Sequence, residues 1–219
     1  MSSLSGIDET VTHLVRSAAA IAGASEQKVR EVLEAAAGRV PAGSMDEVIL
    51  QSYLFAGFPR ALNAARTWRT VSGETAPARD RDAELRNDLD WVARGEATCR
   101  LVYGESYDLL RENIRALHPA LDNWMIADGY GKVLARPQLD LKTRELCIVA
   151  SCAAAGQQRQ LHSHLHGALN CGASAREVTA TLDCLADMVQ EENLSRYRGL
   201  LAHVLARRHP PKEEARDVR

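Results

Sequence analysis

The stretch RELCIVASCAAAGQQRQLHSHLH, residues 144–166, places one acid, two cysteines and three histidines in two short segments. The first segment is apolar and rich in alanine, Gly156 interrupts the run, and the second segment has leucines at helical spacing. Alanine and leucine are strong helix formers, whereas glycine commonly follows the end of a helix. The stretch therefore predicts a hairpin of two helices that concentrates reactive side chains.

The rest of the 219-residue chain has the same helical character. Alanine, leucine, glutamate and arginine dominate, aromatic residues make up only 5%, and β-branched runs are absent. A hydrophobic share of 46% is ordinary for a chain of this length that buries its own core. The sequence therefore predicts an all-α fold.

The periodicity of the apolar residues predicts where the helices lie. They are expected at residues 8–22, 26–37, 44–69, 80–94, 105–117, 120–130, 140–155, 158–170, 174–190 and 193–208. Ser44 and Ser174 each precede a glutamate at the third helical position, which is the pattern of a capping box. Asp140 is a predicted N-cap of the helix that carries Glu145.

A faint internal repeat relates the two ends of the chain. Residues 20–36 align with residues 153–169, so that Gly23 lies opposite Gly156. We therefore predict two related helical hairpins, of which the first is structural and the second carries the chemistry. The predicted segments of this one compact unit are a degenerate helical repeat at 1–70, a connector with covering helices at 71–130, a core at 131–208 and a flexible tail at 209–219.

Charge and cysteine content narrow the class of partner and the compartment. A formal net charge of −2 and a pI of about 6.4 offer no attraction for nucleic acid or an anionic membrane, so the expected partner is a small-molecule substrate or a protein. The N-terminal sequence resembles neither a signal peptide nor a membrane span. Five cysteines without a CxxC pair indicate neither a disulfide framework nor a zinc ribbon. We therefore expect a cytosolic location, with no metal ion and no cofactor.

Residues 130–178 carry a longer pattern. They contain an aromatic-Gly pair, an Arg-Pro, a helix with Arg-Glu-Leu, an alanine-rich run, a glycine, and a second helix with a histidine before Ala-Leu-Asn. In this pattern the chain resembles the carboxymuconolactone decarboxylase and alkylhydroperoxidase D superfamily. Residues 47–64 resemble the segment that follows this helical pair in single-copy members, which implies a tandem or permuted arrangement.

The resemblance implies a fold and an assembly. The implied fold is an all-α, alkylhydroperoxidase D-like helical bundle with two related helical-hairpin halves, in which residues 131–208 form the decarboxylase-like core. The implied assembly is a ring-like homo-oligomer, a trimer or a hexamer, with fewer subunits if the tandem halves replace some of them.

Spacing distinguishes two catalytic branches of this superfamily. Peroxidase members have a glutamate, a CxxC pair and a histidine four residues after the second cysteine. Here Glu145 and His164 occupy the acid and histidine positions, while Gln157 and Gln160 stand where the two cysteines would be. Glutamine supplies neither an attacking thiolate nor a resolving thiol. The sequence therefore resembles the decarboxylase branch, with Glu145 and His164 as its implied catalytic residues.

Each candidate residue also has a purely structural interpretation. A glutamate one turn into a helix is favoured by the helix dipole alone. A histidine beside the apolar stripe of its helix is commonly a satisfied core residue, so periodicity does not distinguish His164 from His162. Only the resemblance selects His164.

The remaining candidates are thiols and substrate-binding groups. Cys152 and Cys171 are most simply buried core residues, but packing of the two helices as a hairpin would bring either thiol towards the acid and histidine pair. Arg136 is a candidate ligand for a substrate carboxylate. His162 is a second candidate for substrate binding, and its i, i+4 spacing to His166 suits two metal ligands, although no third ligand accompanies them.

Three functions follow from these residues. The first is a cofactor-independent decarboxylation, or a related proton transfer, on a carboxylated lactone or oxo-acid of the kind met in the catabolism of aromatic compounds. The second is a thiol-dependent peroxidase that uses Cys152 or Cys171. The third is a helical oligomer that binds a ligand and catalyses nothing, so that ligand stabilises it without turnover.

Overall fold

The computed structural model describes residues 6–84 and 87–208, and every regular element within these ranges is helical. The all-α prediction is therefore confirmed. The helices are α1 (Glu9–Gly23), α2 (Glu26–Ala36), α3 (Ala42–Ala56), α4 (Phe58–Ser72), α5 (Arg81–Glu84), α6 (Asp88–Tyr103), α7 (Tyr107–Leu117), α8 (Pro119–Trp124), α9 (Leu141–Ala154), α10 (Gln158–Asn170), α11 (Ala175–Asp183) and α12 (Glu191–Arg208). A 3₁₀ turn (Gly104–Ser106) follows α6, and a π-helix (Met125–Leu134) continues from α8. No described helix combines the length and the apolar character that a membrane crossing requires.

Helix α9 lies at the centre of the molecule. It packs against α1, α3, α10 and α11, and its side chains from Thr143 to Ala153 are all buried. Asp140 caps its start as predicted, because one carboxylate oxygen accepts from the Thr143 amide at 2.9 Å and the other from the Thr143 hydroxyl at 2.7 Å. The helix ends before Gly156, and α10 then returns antiparallel along α9. This hairpin sets the positions of the reactive side chains.

The most intimate packing in the fold joins α6 to the π-helix. A Cβ atom at Gly95 would lie 2.0 Å from the carbonyl oxygen of Ile126, and one at Gly131 would lie 2.1 Å from that of Trp91. Only hydrogen atoms fit at these two positions, so the backbones approach each other directly. The π-helix, a form that is frequent at functional sites, is thereby fixed against the first half of α6.

Two helix starts differ from the predictions. The single helix expected at 44–69 is divided at Gly57, whose φ of 81° lies in the left-handed region, and Pro59 then opens α4. Ser44 is not an N-cap, because α3 already begins at Ala42 after Pro41. The capping box at Ser174 is confirmed.

Three other boundaries also differ. The helix expected at 80–94 is the short α5 followed by α6, which continues to Tyr103 and ends before Gly104. The helix expected at 120–130 changes to π geometry after Trp124. The helix expected at 174–190 ends at Asp183. Turns follow it, and within these turns Leu185 and Val189 are still buried in the core. The tail expected at 209–219 lies outside the described residues.

Candidate active site

Glu145 and His164 lie in direct contact across the α9 and α10 hairpin. The Glu145 Oε2 atom is 2.8 Å from His164 Nδ1. Glu145 is completely buried and His164 is only 6% exposed, while the edge of the imidazole meets the Phe55 ring at 5.7 Å between centroids. The second carboxylate oxygen, Oε1, is buried and has no hydrogen-bond partner among the described residues. A buried carboxylate and a histidine therefore form one coupled unit.

A glycine on α10 makes room for the carboxylate. A Cβ atom at Gly167 would lie 2.4 Å from Glu145 Oε2 and 2.8 Å from the Val102 side chain. Real side chains never approach so closely, so any larger residue would displace the Glu145 carboxylate or the α6 wall behind it. The sequence interpretation missed Gly167, because no motif or spacing in the sequence relates it to Glu145.

The histidine side of this pair lines a cavity of about 810 Å³. Glu145 does not line the cavity and lies behind His164. With Nδ1 bound to Glu145, Nε2 is the ring nitrogen left for a bound molecule. The other lining residues come from α3, α4, α6, α7, α8, the π-helix and α10: Tyr53, Leu54, Phe55, Phe58, Tyr103, Leu110, Ile114, Leu121, Trp124, Met125, Asp128, Gly129, Tyr130, Leu134, Arg159, Gln160 and Ser163.

Two tyrosines add hydroxyl groups to the cavity. Tyr103 ends α6 and Tyr130 lies in the π-helix, and their rings meet edge to face at 6.3 Å. Burial raises the pKa of both phenols well above the ordinary value, and the negative charge of Glu145 raises each pKa further. Both hydroxyls therefore stay protonated. They are hydrogen-bonded to each other, so one of the two protons is left to donate to a bound molecule. Sequence reasoning missed them because only the packing of α6 on the π-helix brings them beside Glu145.

The cysteines of the peroxidase hypothesis do not line the cavity. Cys152 is buried and Cys171 is partly buried, and both are free thiols. Burial raises the pKa of each to about 12, and the Glu145 charge adds to the shift. A thiol with so high a pKa is protonated at neutral pH and is a poor nucleophile.

Arg136 does not reach this cavity. Its guanidinium binds Glu47 at 2.9 Å and Asp80 at 3.0 Å. Glu47 in turn binds Arg144, which is completely buried, at 2.7 Å. The pair of Glu47 and Arg144 connects α3 to α9, and the Nε and Nη1 groups of Arg136 are bound by Glu47 and Asp80. The structure therefore does not bring Arg136 together with His164, and its role as the ligand of a substrate carboxylate stays a prediction.

His162 lies on another side of α10. It lines shallow surface depressions together with His166 and Arg208, and its ring is 5.1 Å from that of His166. It therefore does not line the cavity beside His164, and its role in substrate binding stays a prediction. Within residues 6–84 and 87–208, no three histidine, cysteine or acidic side chains are grouped in a way that could hold a metal ion.

Comparison with known proteins identifies relatives of this fold and site. Residues 120–201 match the carboxymuconolactone decarboxylase family. A protein of Schizosaccharomyces pombe named Peroxisomal protein 2 is 29% identical over 150 residues, which cover 66% of this chain and 68% of that protein. A Saccharomyces cerevisiae protein of the same name is 24% identical over 159 residues, which cover 61% of this chain and 56% of that protein.

These relatives correct one expectation and support another. Both are named for the peroxisome, so the expectation of a cytosolic location is wrong on this comparison. Neither name states a reaction or a substrate. The family match contains both Glu145 and His164 and coincides with the helices that position them. The resemblance to the carboxymuconolactone decarboxylase family that the sequence indicated is therefore supported over residues 120–201, which contain the site.

Proposed function

We propose that the protein is an enzyme that decarboxylates a carboxylated lactone or related oxo-acid, or catalyses a closely related proton transfer, without a cofactor. The observation that carries the proposal is the 2.8 Å contact between the buried Glu145 carboxylate and His164, whose ring lines a largely apolar cavity. A buried pair of titratable groups beside a cavity is typical of general acid and base catalysis.

The two residues have different roles in this proposal. His164 is the catalytic residue, because its ring lines the cavity and Nε2 is free of Glu145. Glu145 is a positioning residue that holds the proton on Nδ1 and stabilises the imidazolium when Nε2 is protonated. The unpartnered Oε1 atom leaves the buried carboxylate dependent on this single side-chain contact.

Decarboxylation needs groups that stabilise the negative charge of the enolate and a donor of one proton to carbon. Cleavage of the bond between the carboxylate and its neighbouring carbon releases carbon dioxide and leaves the electron pair in an enolate or dienolate. The hydrogen-bonded pair of Tyr103 and Tyr130 hydroxyls leaves one donor suited to the enolate oxygen. The imidazolium of His164 then gives its Nε2 proton to carbon, and water restores that proton in the next cycle.

The test is carbon dioxide release from a carboxymuconolactone-type substrate by the purified protein. His164→Ala and Glu145→Gln are each expected to reduce kcat by about 100-fold or more, the usual contribution of a positioned acid or base. His162→Ala is the matched control, because this histidine lies on the same helix outside the cavity and should leave kcat unchanged. Turnover that survives both His164→Ala and Glu145→Gln would exclude the proposed pair.

The competing functions give different results in the same assay. A thiol-dependent peroxidase would consume peroxide with a thiol reductant, but the burial of Cys152 and Cys171 disfavours that chemistry. A ligand-binding protein without catalysis would be stabilised by the substrate and release nothing.

Location and assembly are separate parts of the proposal. The names of the two relatives support a peroxisomal location, which co-localisation of a fluorescent fusion with a peroxisomal marker tests.

The family resemblance supports a ring-like homo-oligomer, and the exposed apolar side chains Leu101, Leu109 and Leu117 of α6 and α7 are consistent with contact between copies. Light scattering after size-exclusion chromatography measures the number of subunits, and a monomer would contradict this part.

A further inference from the structure

The cavity beside His164 has features that define a class of substrate, and the inference drawn from them rests on the proposed function. We propose that the substrate is an amphipathic anion with a large apolar body. The body fills the cavity, and a charged group that the reaction leaves unchanged binds Arg159 at the mouth.

The size of the cavity exceeds what a single small ring requires. Its volume is about 810 Å³, near the upper end of the range that holds drug-sized ligands, about 300–1,000 Å³. A small lactone would occupy a minor part and leave the remainder to water. A substrate that excludes water from His164 must therefore be considerably larger.

The wall of the cavity is apolar along most of its length. Helices α7 and α8 contribute Leu110, Ile114, Leu121 and Trp124, and the opposite side contributes Phe55 and Phe58. Phe58, Trp124 and Leu121 are 63%, 57% and 46% exposed, although each also lines the cavity. Large apolar side chains that remain in water around a concave surface favour the binding of an apolar molecule.

The charges at the cavity favour an anion. Asp128 is already paired with Lys132 at 2.6 Å. The exposed Arg159 guanidinium has no partner among the described residues, because the Ser163 hydroxyl bonds only the backbone carbonyl of Arg159. The first turn of α10, where Arg159 lies, contains no acidic side chain. A guanidinium in this setting is suited to a carboxylate or a similar oxyanion.

Arg159 lies apart from His164, so the group that it binds is not the group that reacts. His164 follows it by more than one turn of α10 and is buried, whereas Arg159 is exposed. An arginine paired with the departing carboxylate would stabilise the reactant and slow decarboxylation. The group bound by Arg159 is therefore a second anionic group, which substrate and product share.

The experiment compares two probes of equal chain length, dodecanoate and dodecan-1-ol, below their micellar concentrations. Binding is measured by calorimetry to the wild type, to Arg159→Gln and to Arg66→Gln. Arg66 is the matched control, because it is an exposed arginine that lines a different depression, away from His164. The emission of Trp124, identified by its loss in Trp124→Phe, reports whether a probe enters this cavity.

Both probes are expected to bind the wild type and to shift the Trp124 emission. Arg159→Gln should weaken dodecanoate by about fivefold, which is the upper range for an exposed ion pair, and leave dodecan-1-ol unchanged. Arg66→Gln should change neither affinity. Failure of both probes to bind in the cavity, or an equal dodecanoate affinity in Arg159→Gln, would overturn the inference.

This outcome is independent of the proposed reaction. Binding without turnover tests only the substrate class, whereas His164→Ala and Glu145→Gln test the chemistry. Once a substrate of this class is turned over, Arg159→Gln should raise KM and leave kcat unchanged, because substrate and transition state share the contact.

Discussion

Gly167 determines where the Glu145 carboxylate can lie. The carboxylate, the Val102 side chain and the backbone of α10 meet at this position without space for a methyl group. The sequence and its resemblance indicated the acid and the histidine, and the structure joins the two through one 2.8 Å contact. Neither periodicity nor spacing indicated Gly167, because the contact depends on how closely α9, α10 and α6 pack.

Gly167→Ala should reduce kcat by about 100-fold while the protein stays folded. A displacement of about 1 Å at a reacting group costs roughly that factor, whereas alanine in a helix is intrinsically about 1 kcal/mol more favourable than glycine. The measurements are kcat, thermal unfolding and the ring ¹⁵N shifts of His164. In the Gly167→Ala background, Glu145→Asp shortens the side chain and should recover part of the lost rate. An unchanged kcat in Gly167→Ala would contradict the steric argument.

Cys152→Ser and Cys171→Ser should each retain turnover. With a pKa of about 12, each thiol is roughly one part in ten thousand thiolate at a pH of about 8. Labelling of the folded protein by a thiol reagent should therefore be slow, and peroxide consumption should be absent. Rapid labelling, or peroxide consumption that one of these substitutions abolishes, would favour the peroxidase instead.

At the scale of elements, a helix start was predictable where a side chain caps it. It was not predictable where packing between residues distant in sequence decides the geometry. Asp140 and Ser174 cap α9 and α11 as the sequence indicated. The π-helix was not predictable, since its geometry depends on Gly95 and Gly131 meeting across two helices. Tyr103 and Tyr130, which this contact brings to the cavity, were missed for the same reason.

The ion pair between Lys142 of α9 and Glu177 of α11 should make stability depend on pH. The Lys142 contact at 2.8 Å and the Ser174 amide lower the pKa of Glu177 from 4.5 to about 2. A lowered folded-state pKa stabilises the protein above the unfolded value, and the stabilisation is lost as the pH falls from 4.5 towards about 2.

Glu177→Gln should therefore destabilise the protein by about 1 kcal/mol at neutral pH, as expected for a partly exposed pair. The difference from the wild type should narrow steadily below a pH of about 4.5 in denaturant unfolding experiments. Glu192→Gln, an exposed acid in the first turn of α12, is the control and should show a small difference at every pH. A constant difference for Glu177→Gln across this range would contradict the linkage.

At the scale of the whole molecule, helices from the first and last parts of the chain pack against α9. Helices α1 and α3 from the first part pack on it, and the buried Glu47 binds both Arg144 and Arg136. The sequence predicted two hairpins, and α1 with α2 and α9 with α10 are such hairpins. The division at residues 70, 130 and 208 stays a prediction. The ion pairs between α3 and α9 were not predictable, because their partners are distant in sequence and no local pattern relates them.

Glu47→Gln should lower the free energy of unfolding by about 3 kcal/mol, because it leaves Arg144, which has no exposed surface, without a carboxylate partner. Glu34→Gln, which breaks an exposed pair with Arg30, is the control and should cost less than about 0.5 kcal/mol. Both values are measurable by denaturant unfolding at neutral pH. If α3 and α9 form one cooperative unit, Glu47→Gln shifts a single transition and keeps its slope. A second transition, or a cost equal to that of Glu34→Gln, would mean that the buried ion pair does not connect the two parts of the chain energetically.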